Sequence, residues 1–145
     1  MEEIILSNYP PSPYAGAINA VKELSNHFHL GIVSDTGMTP GRVLRKLLQK
    51  NNILDYFCCF SFSDEVGYYK PDSRIFHHAL SCLGVAPGEA CHIGDFIHTD
   101  IRGAKQIGMG AILIGNSAIE EFSVDLPDFR AGSYEEILDY FMKYR

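Results

Sequence analysis

Three features are scarce or absent in this sequence of 145 residues, and each absence excludes a class of function. Basic residues are few: 12 lysines and arginines stand against 18 aspartates and glutamates, which gives a formal net charge of −6. Nucleic-acid-binding proteins present clustered basic side chains, whereas those here are scattered, so we expect no nucleic-acid partner. No run of about 18 apolar residues occurs, so we expect no membrane-spanning helix and no membrane partner.

The third absence is the C-x-x-C spacing of cysteines that is typical of zinc sites and redox motifs, so the sequence does not indicate either kind of site. The cysteines are Cys58, Cys59, Cys82 and Cys91. Three of them lie in apolar segments, which favours buried, reduced thiols that pack as small hydrophobic side chains in a reducing compartment. The acidic N-terminus has an apolar run too short for a signal peptide. We therefore predict a soluble, cytoplasmic protein.

Short apolar runs and amphipathic stretches alternate along the sequence. Four apolar runs predict buried strands, at residues 30–33, 58–62, 90–93 and 111–114. Apolar residues at helical spacing predict helices at 14–26, after Thr39 and Pro40, between Asp72 and Gly84, between Asp100 and Gly108, and after Ser133. The predicted N-caps are Thr39, Asp72 and Ser133. The alternation predicts right-handed βαβ crossovers, and hence an α/β fold with a three-layer, doubly wound parallel sheet in a single domain over residues 1–145.

Polar side chains follow the predicted strands where these strands end. Because parallel strands end at one edge of a sheet, Ser34, the loop with Lys70, and Asp95 should converge there. The carboxylates of Asp95 and Asp100 supply the oxygen ligands that Mg²⁺ prefers. The hydroxyl of Ser34 and the backbone N–H groups of residues 36–41 suit phosphate oxygens, and Lys70 supplies a positive charge for a phosphoryl transition state. Together these residues indicate a phosphoryl site.

Each residue also has a simpler interpretation. Asp100 alone is explained as a helix cap, and Ser34 as a residue bonded to its local backbone. Lys70 alone is explained as a solvated surface lysine, and His92 and His98 as surface or supporting residues. The combination favours the phosphoryl site, because all of these residues are far less likely to occur together by chance than any one of them alone.

Three segments resemble the second, third and fourth motifs of the haloacid dehalogenase-like (HAD) hydrolases, in the same order. They are residues 30–36 (Leu-Gly-Ile-Val-Ser-Asp-Thr), 70–76 (Lys-Pro-Asp-Ser-Arg-Ile-Phe) and 92–109, which opens with His-Ile-Gly-Asp. The resemblance extends over about residues 13–115. It implies a Rossmann-like core and a hydrolase, in most members a Mg²⁺-dependent phosphatase for small phosphorylated metabolites and in a minority a dehalogenase.

The resemblance also implies a role for each site residue. Ser34, Lys70 and Asp95 would be catalytic, with Lys70 neutralising a phospho-aspartyl intermediate. Ser34, Asp35, Thr36 and Lys70 would bind the substrate. Asp95 would bind Mg²⁺ with Asp100 in support.

The first motif of the family, Asp-x-Asp-x-Thr, does not occur in this sequence. In the family its first aspartate is the nucleophile and its second is the general acid and base. Removing a catalytic nucleophile costs on the order of a million-fold in rate, so we expect this chain to be nearly inactive alone, with weakened or absent Mg²⁺ binding. We interpret the sequence as a truncated core without the first strand and most of the cap.

The missing strand would lie between the strand that ends at Ser34 and the strand that ends at Ile93. Residues 1–12 are either a remnant of the cap or a replacement for this strand, formed by residues 3–6. Alternatively, the two flanking strands pair directly, or a second chain supplies a strand by self-association. Two functions remain open: a hydrolase core whose nucleophile lies outside this chain, and a non-catalytic phosphate-binding or interaction module.

Overall fold

The computed structural model describes residues 13–115 and 127–143. The strands are β1 Leu30–Ser34, β2 Phe57–Phe62, β3 Cys91–Gly94, β4 Gly110–Ile114 and β5 Phe129–Ala131. The α-helices are α1 Ala17–Ser25, α2 Gly41–Lys50, α3 Ser63–Val66, α4 Ser73–Leu83, α5 Arg102–Lys105 and α6 Tyr134–Lys143. Short turns of other helical types are Leu54–Tyr56 and Pro87–Glu89 (3₁₀) and Ile97–Ile101 (π).

All strand pairs of the described residues are parallel. β1 pairs with β2, and β3, β4 and β5 form a second ladder in that order. Within the described ranges no ladder joins β1 to β3, so direct pairing of the strands at 30–34 and 90–93 is wrong. The proposed strand at residues 3–6 lies outside the described residues, and the single domain over 1–145 stays a prediction.

Helices cover both faces of the sheet. On one face α4 and α5 pack against alternate residues of β4, with Ile75, Phe76 and Leu113 fully buried, and Val33 of β1 joins this core. On the opposite face α1 and α6 pack against Ile112, which is also fully buried. The predicted α/β fold with three layers is confirmed, and both ladders share the same core.

The helix caps were predicted correctly where the partner is local. Asp72 Oδ1 accepts a hydrogen bond from Arg74 N at 2.9 Å, and Gly84 ends α4 with φ 70°. The predicted cap at Thr39 is wrong: α2 begins at Gly41, after Pro40, and has no side-chain cap from within its own segment. Both carboxylate oxygens of Asp64 instead accept from Gly41 N, at 3.1 Å.

Several boundaries and environments differ from the predictions. The helix expected to open at Asp100 begins three residues earlier, as the π turn Ile97–Ile101. The short elements α3 and β5 were not predicted. Cys58 and Cys82 are exposed, so the prediction of buried thiols is wrong for these two. Among the residues the structure describes, no helix is long and apolar enough to span a bilayer; the cytoplasmic location stays a prediction.

Candidate active site

An ion pair between Lys70 and Asp100 forms the centre of the candidate site. Lys70 lies in the loop between α3 and α4, and Asp100 lies in the π turn that follows β3. Lys70 Nζ is 2.6 Å from Asp100 Oδ1, and the two side chains are only 14% and 2% exposed. The fold therefore joins two of the predicted motifs across 30 residues of sequence, as the convergence of strand ends requires.

The Asp100 carboxylate receives two further hydrogen bonds. His92 Nε2 lies 2.9 Å from Oδ1, and Phe96 N donates to Oδ2 at 3.1 Å. The imidazole of His92 also meets the ring of Phe76 edge to face, with centroids 5.1 Å apart. The sequence predicts either a surface position or a supporting role for His92, and these contacts agree with the supporting role. A polar residue inside an apolar strand was the available signal, because buried polar groups need partners.

These contacts hold Asp100 in its ionised form. Burial by itself raises the pKa of this carboxyl, but the hydrogen bonds from His92 and Lys70 and their positive charge outweigh it, and the pKa lies below its ordinary value. The ionised Asp100 attracts the ammonium of Lys70 and fixes its position. The pair thus fixes the Lys70 ammonium in one orientation beside the end of β3.

The close approach of Asp100 to the backbone explains the glycine that ends β3. A Cβ atom at Gly94 would overlap the side chain of Asp100. The π turn contributes to this geometry, because Phe96 O accepts from both Asp100 N at 2.9 Å and Ile101 N at 3.3 Å. Such turns within helices are frequent at functional sites.

The loop after β1 is joined to the Lys70 loop through Asp35. Asp35 Oδ1 accepts a hydrogen bond from the backbone N–H of Lys70 at 2.9 Å. Ser34, directly before it, is half-buried at the end of β1 and pairs in register with Phe62. The described contacts therefore bring together the Lys70 loop and the ends of β1 and β3. The carboxylate of Asp35 is better suited to binding the Lys70 loop than to binding a phosphate, and substrate binding by Asp35 stays a prediction.

Thr36 fastens the β1 loop to the start of α3. Its backbone N–H donates to Ser63 Oγ at 2.9 Å, and its Oγ1 accepts from Asp64 N at 3.2 Å. Thr36 and Ser63 are both buried. These contacts are structural, so substrate binding by Thr36 stays a prediction.

The donors available for a metal ion are few in the described part of the chain. Asp95 is exposed at the end of β3, and Asp100 accepts the three hydrogen bonds described above. Within residues 13–115 and 127–143, no three His, Cys, Asp or Glu side chains are grouped to hold a metal. The single carboxylate of Asp95 fits Mg²⁺ in type, since this ion binds through one or two carboxylates and keeps several waters. Asp100 fits the supporting role.

One residue near the site was not predicted. Tyr134, the first residue of α6, is partly buried, and its pKa is raised by burial and then by the neighbouring Tyr14 and Asp95. This places a phenol close to the predicted metal ligand. No local sequence signal marks Tyr134, because β5 and α6 bring it to the site only in the folded chain.

Comparison with known proteins finds relatives among the haloacid dehalogenase-like hydrolases. The family model of the haloacid dehalogenase-like hydrolases matches residues 3–108. The chain is similar to a phosphoserine phosphatase of Thermus thermophilus, with 37% identity over 93 residues, which cover 64% of this chain and 37% of the relative. It is similar to a glyceraldehyde 3-phosphate phosphatase of Methanopyrus kandleri, with 33% identity over 134 residues, which cover 88% of this chain and 55% of the relative.

Solved structures extend the likeness to the fold. A HAD phosphatase from Thermococcus onnurineus superposes with a TM-score of 0.81 at 30% identity, over 97% of this chain and 63% of that protein. The putative HAD-hydrolase YfnB from Bacillus subtilis, solved bound to magnesium, has a TM-score of 0.77 at 20% identity, over 86% of this chain and 54% of that protein, and shows the fold alone. The chain thus spans about half the length of its relatives or less. Given the family match and the shared fold, this chain belongs to the haloacid dehalogenase-like hydrolases.

Proposed function

We propose that this chain forms the phosphoryl-binding core of a Mg²⁺-dependent, phosphatase-type hydrolase that acts on a small phosphorylated molecule. The observation that supports it most is the Lys70–Asp100 ion pair, buried beside the end of β3 and joined to the β1 loop through Asp35. An oriented ammonium is suited to neutralising the charge of a phosphoryl group. The hydrogen bond of Asp35 to Lys70 N joins the end of β1, where Ser34 lies, to the Lys70 loop. The similarity to two phosphatases supports the same class of reaction.

In this proposal each residue has a separate task. Ser34 donates its hydroxyl to a phosphoryl oxygen, and Lys70 neutralises negative charge there while Asp100 and His92 keep it in place. Asp95 would hold Mg²⁺, which when bound supplies further charge neutralisation at the phosphoryl oxygens. The attacking carboxylate is not among these residues, since the sequence has no Asp-x-Asp-x-Thr. In this proposal, hydrolysis therefore requires a second polypeptide that carries this motif.

Reconstitution tests this proposal. The chain is mixed with a peptide that carries an Asp-x-Asp-x-Thr strand, and hydrolysis of p-nitrophenyl phosphate is measured with and without Mg²⁺. We expect turnover only when chain, peptide and metal are all present, and a loss of about 100-fold or more in Lys70→Ala. The matched control is Lys105→Ala, which removes an exposed lysine paired with Asp128 and should leave turnover unchanged. Absence of metal-dependent turnover after reconstitution contradicts the proposal.

The second candidate function is a non-catalytic phosphate-binding module, which the missing nucleophile motif favours. It predicts saturable binding of inorganic phosphate to the chain alone, without turnover of phosphate esters. In calorimetric titration, Lys70→Ala should weaken this binding and Lys105→Ala should not. A titration without heat for phosphate contradicts this candidate.

The substrate class is proposed from the relatives. The names of two of them give phosphoserine and glyceraldehyde 3-phosphate as substrates, both small phosphate monoesters. We propose that the natural ligand of this chain belongs to the same class. Competition of each compound against inorganic phosphate in the titration tests this directly.

We also propose self-association through the strands that flank the position of the family's first strand. The residues of β3 and most of β1 are only half-buried, whereas Ala111, Ile112 and Leu113 of β4 are fully buried. Within the described residues, β1 pairs on one side only, with β2, and β3 on one side only, with β4. Unpaired strand edges favour pairing with another chain. Sedimentation over a range of protein concentrations should show a dimer; a monomer throughout contradicts this proposal.

A further inference from the structure

Three of the four cysteines meet where β2 contacts α4. Cys58 and Cys59 are neighbours in β2, and Cys82 is the penultimate residue of α4. Cys82 Sγ lies 3.9 Å from the carbonyl oxygen of Cys58. Cys59 Sγ lies 3.8 Å from the carbonyl oxygen of Ala79, one turn before Cys82 on the same helix. The Cys82 thiol therefore lies over the peptide that joins Cys58 to Cys59.

Strand geometry selects which two thiols can react. Successive side chains of a strand point to opposite faces, so Cys58 points away from α4 when Cys59 points toward it. Cys58 Sγ is placed accordingly, 3.4 Å from the carbonyl oxygen of Leu30 and 3.8 Å from His29 Nδ1. Cys59 and Cys82 are therefore the pair that faces one another across the helix–strand contact.

The two thiols of this pair differ in environment. Cys59 is 1% exposed, and burial together with the hydrogen bond to Cys82 raises the pKa of its thiol to about 12. Cys82 is exposed to solvent. Because oxidants react with accessible thiolates, an oxidant would react first with Cys82, and the protonated thiol of Cys59 lies beside it as the second reactant.

We propose that Cys59 and Cys82 form a redox-sensitive thiol pair, which a peroxide converts to a disulfide that links β2 to α4. The thiolate of Cys82 attacks one oxygen of the peroxide, which gives a sulfenic acid and, after protonation of the leaving oxygen, one water (or an alcohol from an alkyl peroxide). The sulfur of Cys59 then attacks the sulfur of Cys82, loses its proton, and displaces the hydroxyl as a second water. Two thiols are oxidised by two electrons, and the peroxide is reduced.

The disulfide would act on the helix that follows the site loop. Helix α4 begins three residues after Lys70, and the new bond would fix its opposite end to β2. A reducing compartment normally keeps such thiols reduced, and disulfides that form there are typically transient and redox-sensing. Oxidation would therefore link α4 covalently to β2, and reduction would release it.

Peptide mapping after hydrogen peroxide treatment tests the proposal. Trypsin should release residues 51–74, with Cys58 and Cys59, and residues 75–102, with Cys82 and Cys91, because cleavage before Pro71 is blocked. We expect the two peptides to be joined, two of the four thiols to be lost on titration, and dithiothreitol to restore both.

Single substitutions identify the bond. Cys82→Ser, at an exposed position, should abolish the joined peptide, whereas Cys58→Ser and Cys91→Ser, the matched controls, should keep it. The proposal is overturned if the joined peptide persists in Cys82→Ser or disappears in Cys58→Ser. It is equally overturned if peroxide carries Cys82 of the wild type to a sulfinic acid with no joined peptide formed.

Discussion

At the scale of single residues, the contacts of the site converge on Asp100. It is almost fully buried, and its carboxylate joins Lys70, His92 and the backbone of Phe96. A buried ion pair loses much stability when only one partner is removed, because the other charge stays buried. Asp100 is therefore the residue at which site geometry and fold stability depend on each other most directly.

The first prediction concerns the charge of Asp100. Asp100→Asn should lower the free energy of unfolding by about 3–5 kcal/mol, since it leaves the ammonium of Lys70 without its counter-charge. Urea unfolding followed by circular dichroism measures this change. Glu65→Gln is the control: it breaks an exposed ion pair with Arg45 and should cost at most about 1 kcal/mol. Equal losses in the two variants would contradict the prediction.

The second prediction concerns pH. The pKa of Asp100 is lower in the folded chain than in the unfolded chain, because the hydrogen bonds from His92 and Lys70 outweigh the effect of burial. The stability that follows is complete above the unfolded pKa, about 3.9, and is lost as the pH falls from there toward the folded pKa. Below about pH 4, unfolding free energies of the wild type should fall more steeply than those of Asp100→Asn. Parallel curves would show that other carboxyls dominate.

The third prediction concerns Gly94. Gly94→Ala places a Cβ where the Asp100 side chain lies, so the carboxylate must move away from Lys70 and His92. Overpacking of this kind should cost about 1–3 kcal/mol in unfolding free energy and weaken phosphate binding. Gly88→Ala is the matched control, because a Cβ at Gly88 has no atom within 4 Å. Calorimetric scanning and phosphate titration of both variants measure the difference.

At the scale of elements, the start of α2 depends on a residue far along the chain. Asp64 of α3 accepts the hydrogen bond of Gly41 N, and Thr36 and Ser63 hold the two segments together. The sequence pattern predicts Thr39 as the N-cap, because a threonine before a proline suits a cap followed by the first helical position. In the structure Pro40 itself is the N-cap, and Thr39 lies one residue before it. Local signals predict caps only when the partner is local, as at Asp72.

The fourth prediction tests this long-range cap. Asp64→Ala should lower the free energy of unfolding by about 0.5–2 kcal/mol, the usual cost of losing an N-cap. Thr39→Ala should change it little, because no side-chain cap hydrogen bond from Thr39 is formed. Chemical denaturation of the two variants side by side decides between the caps. A larger loss in Thr39→Ala would restore the local assignment.

The two elements that the sequence did not predict, α3 and β5, are short. α3 is four residues long and β5 is three, and neither has enough residues to show a helical or alternating pattern. The π turn before α5 was also missed, because its residues read as a loop followed by a cap at Asp100. The continuous apolar runs, by contrast, predicted β1 to β4 to within one residue at each end.

At the scale of the whole molecule, topology predicted the site better than local pattern did. Parallel strands bring their ends together, so the meeting of the Lys70 loop with the loops after β1 and β3 followed from the order of elements alone. The partners within the site did not follow from the order of elements. Only the folded chain defines the hydrogen bonds of His92 with Asp100 and of Thr36 with Ser63, and the electrostatic effect of Asp95 on Tyr134.

The hydrogen bond from Lys70 N to Asp35 has a consequence for binding thermodynamics. It fixes the main chain of an otherwise irregular loop before any ligand is present. The conformational entropy of that segment is therefore lost during folding. Binding of a phosphoryl group would not carry the free-energy cost of ordering this loop. If phosphate binds at the proposed site, its affinity should therefore depend on the charges and the hydroxyl that contact it, with little free energy lost in ordering the loop.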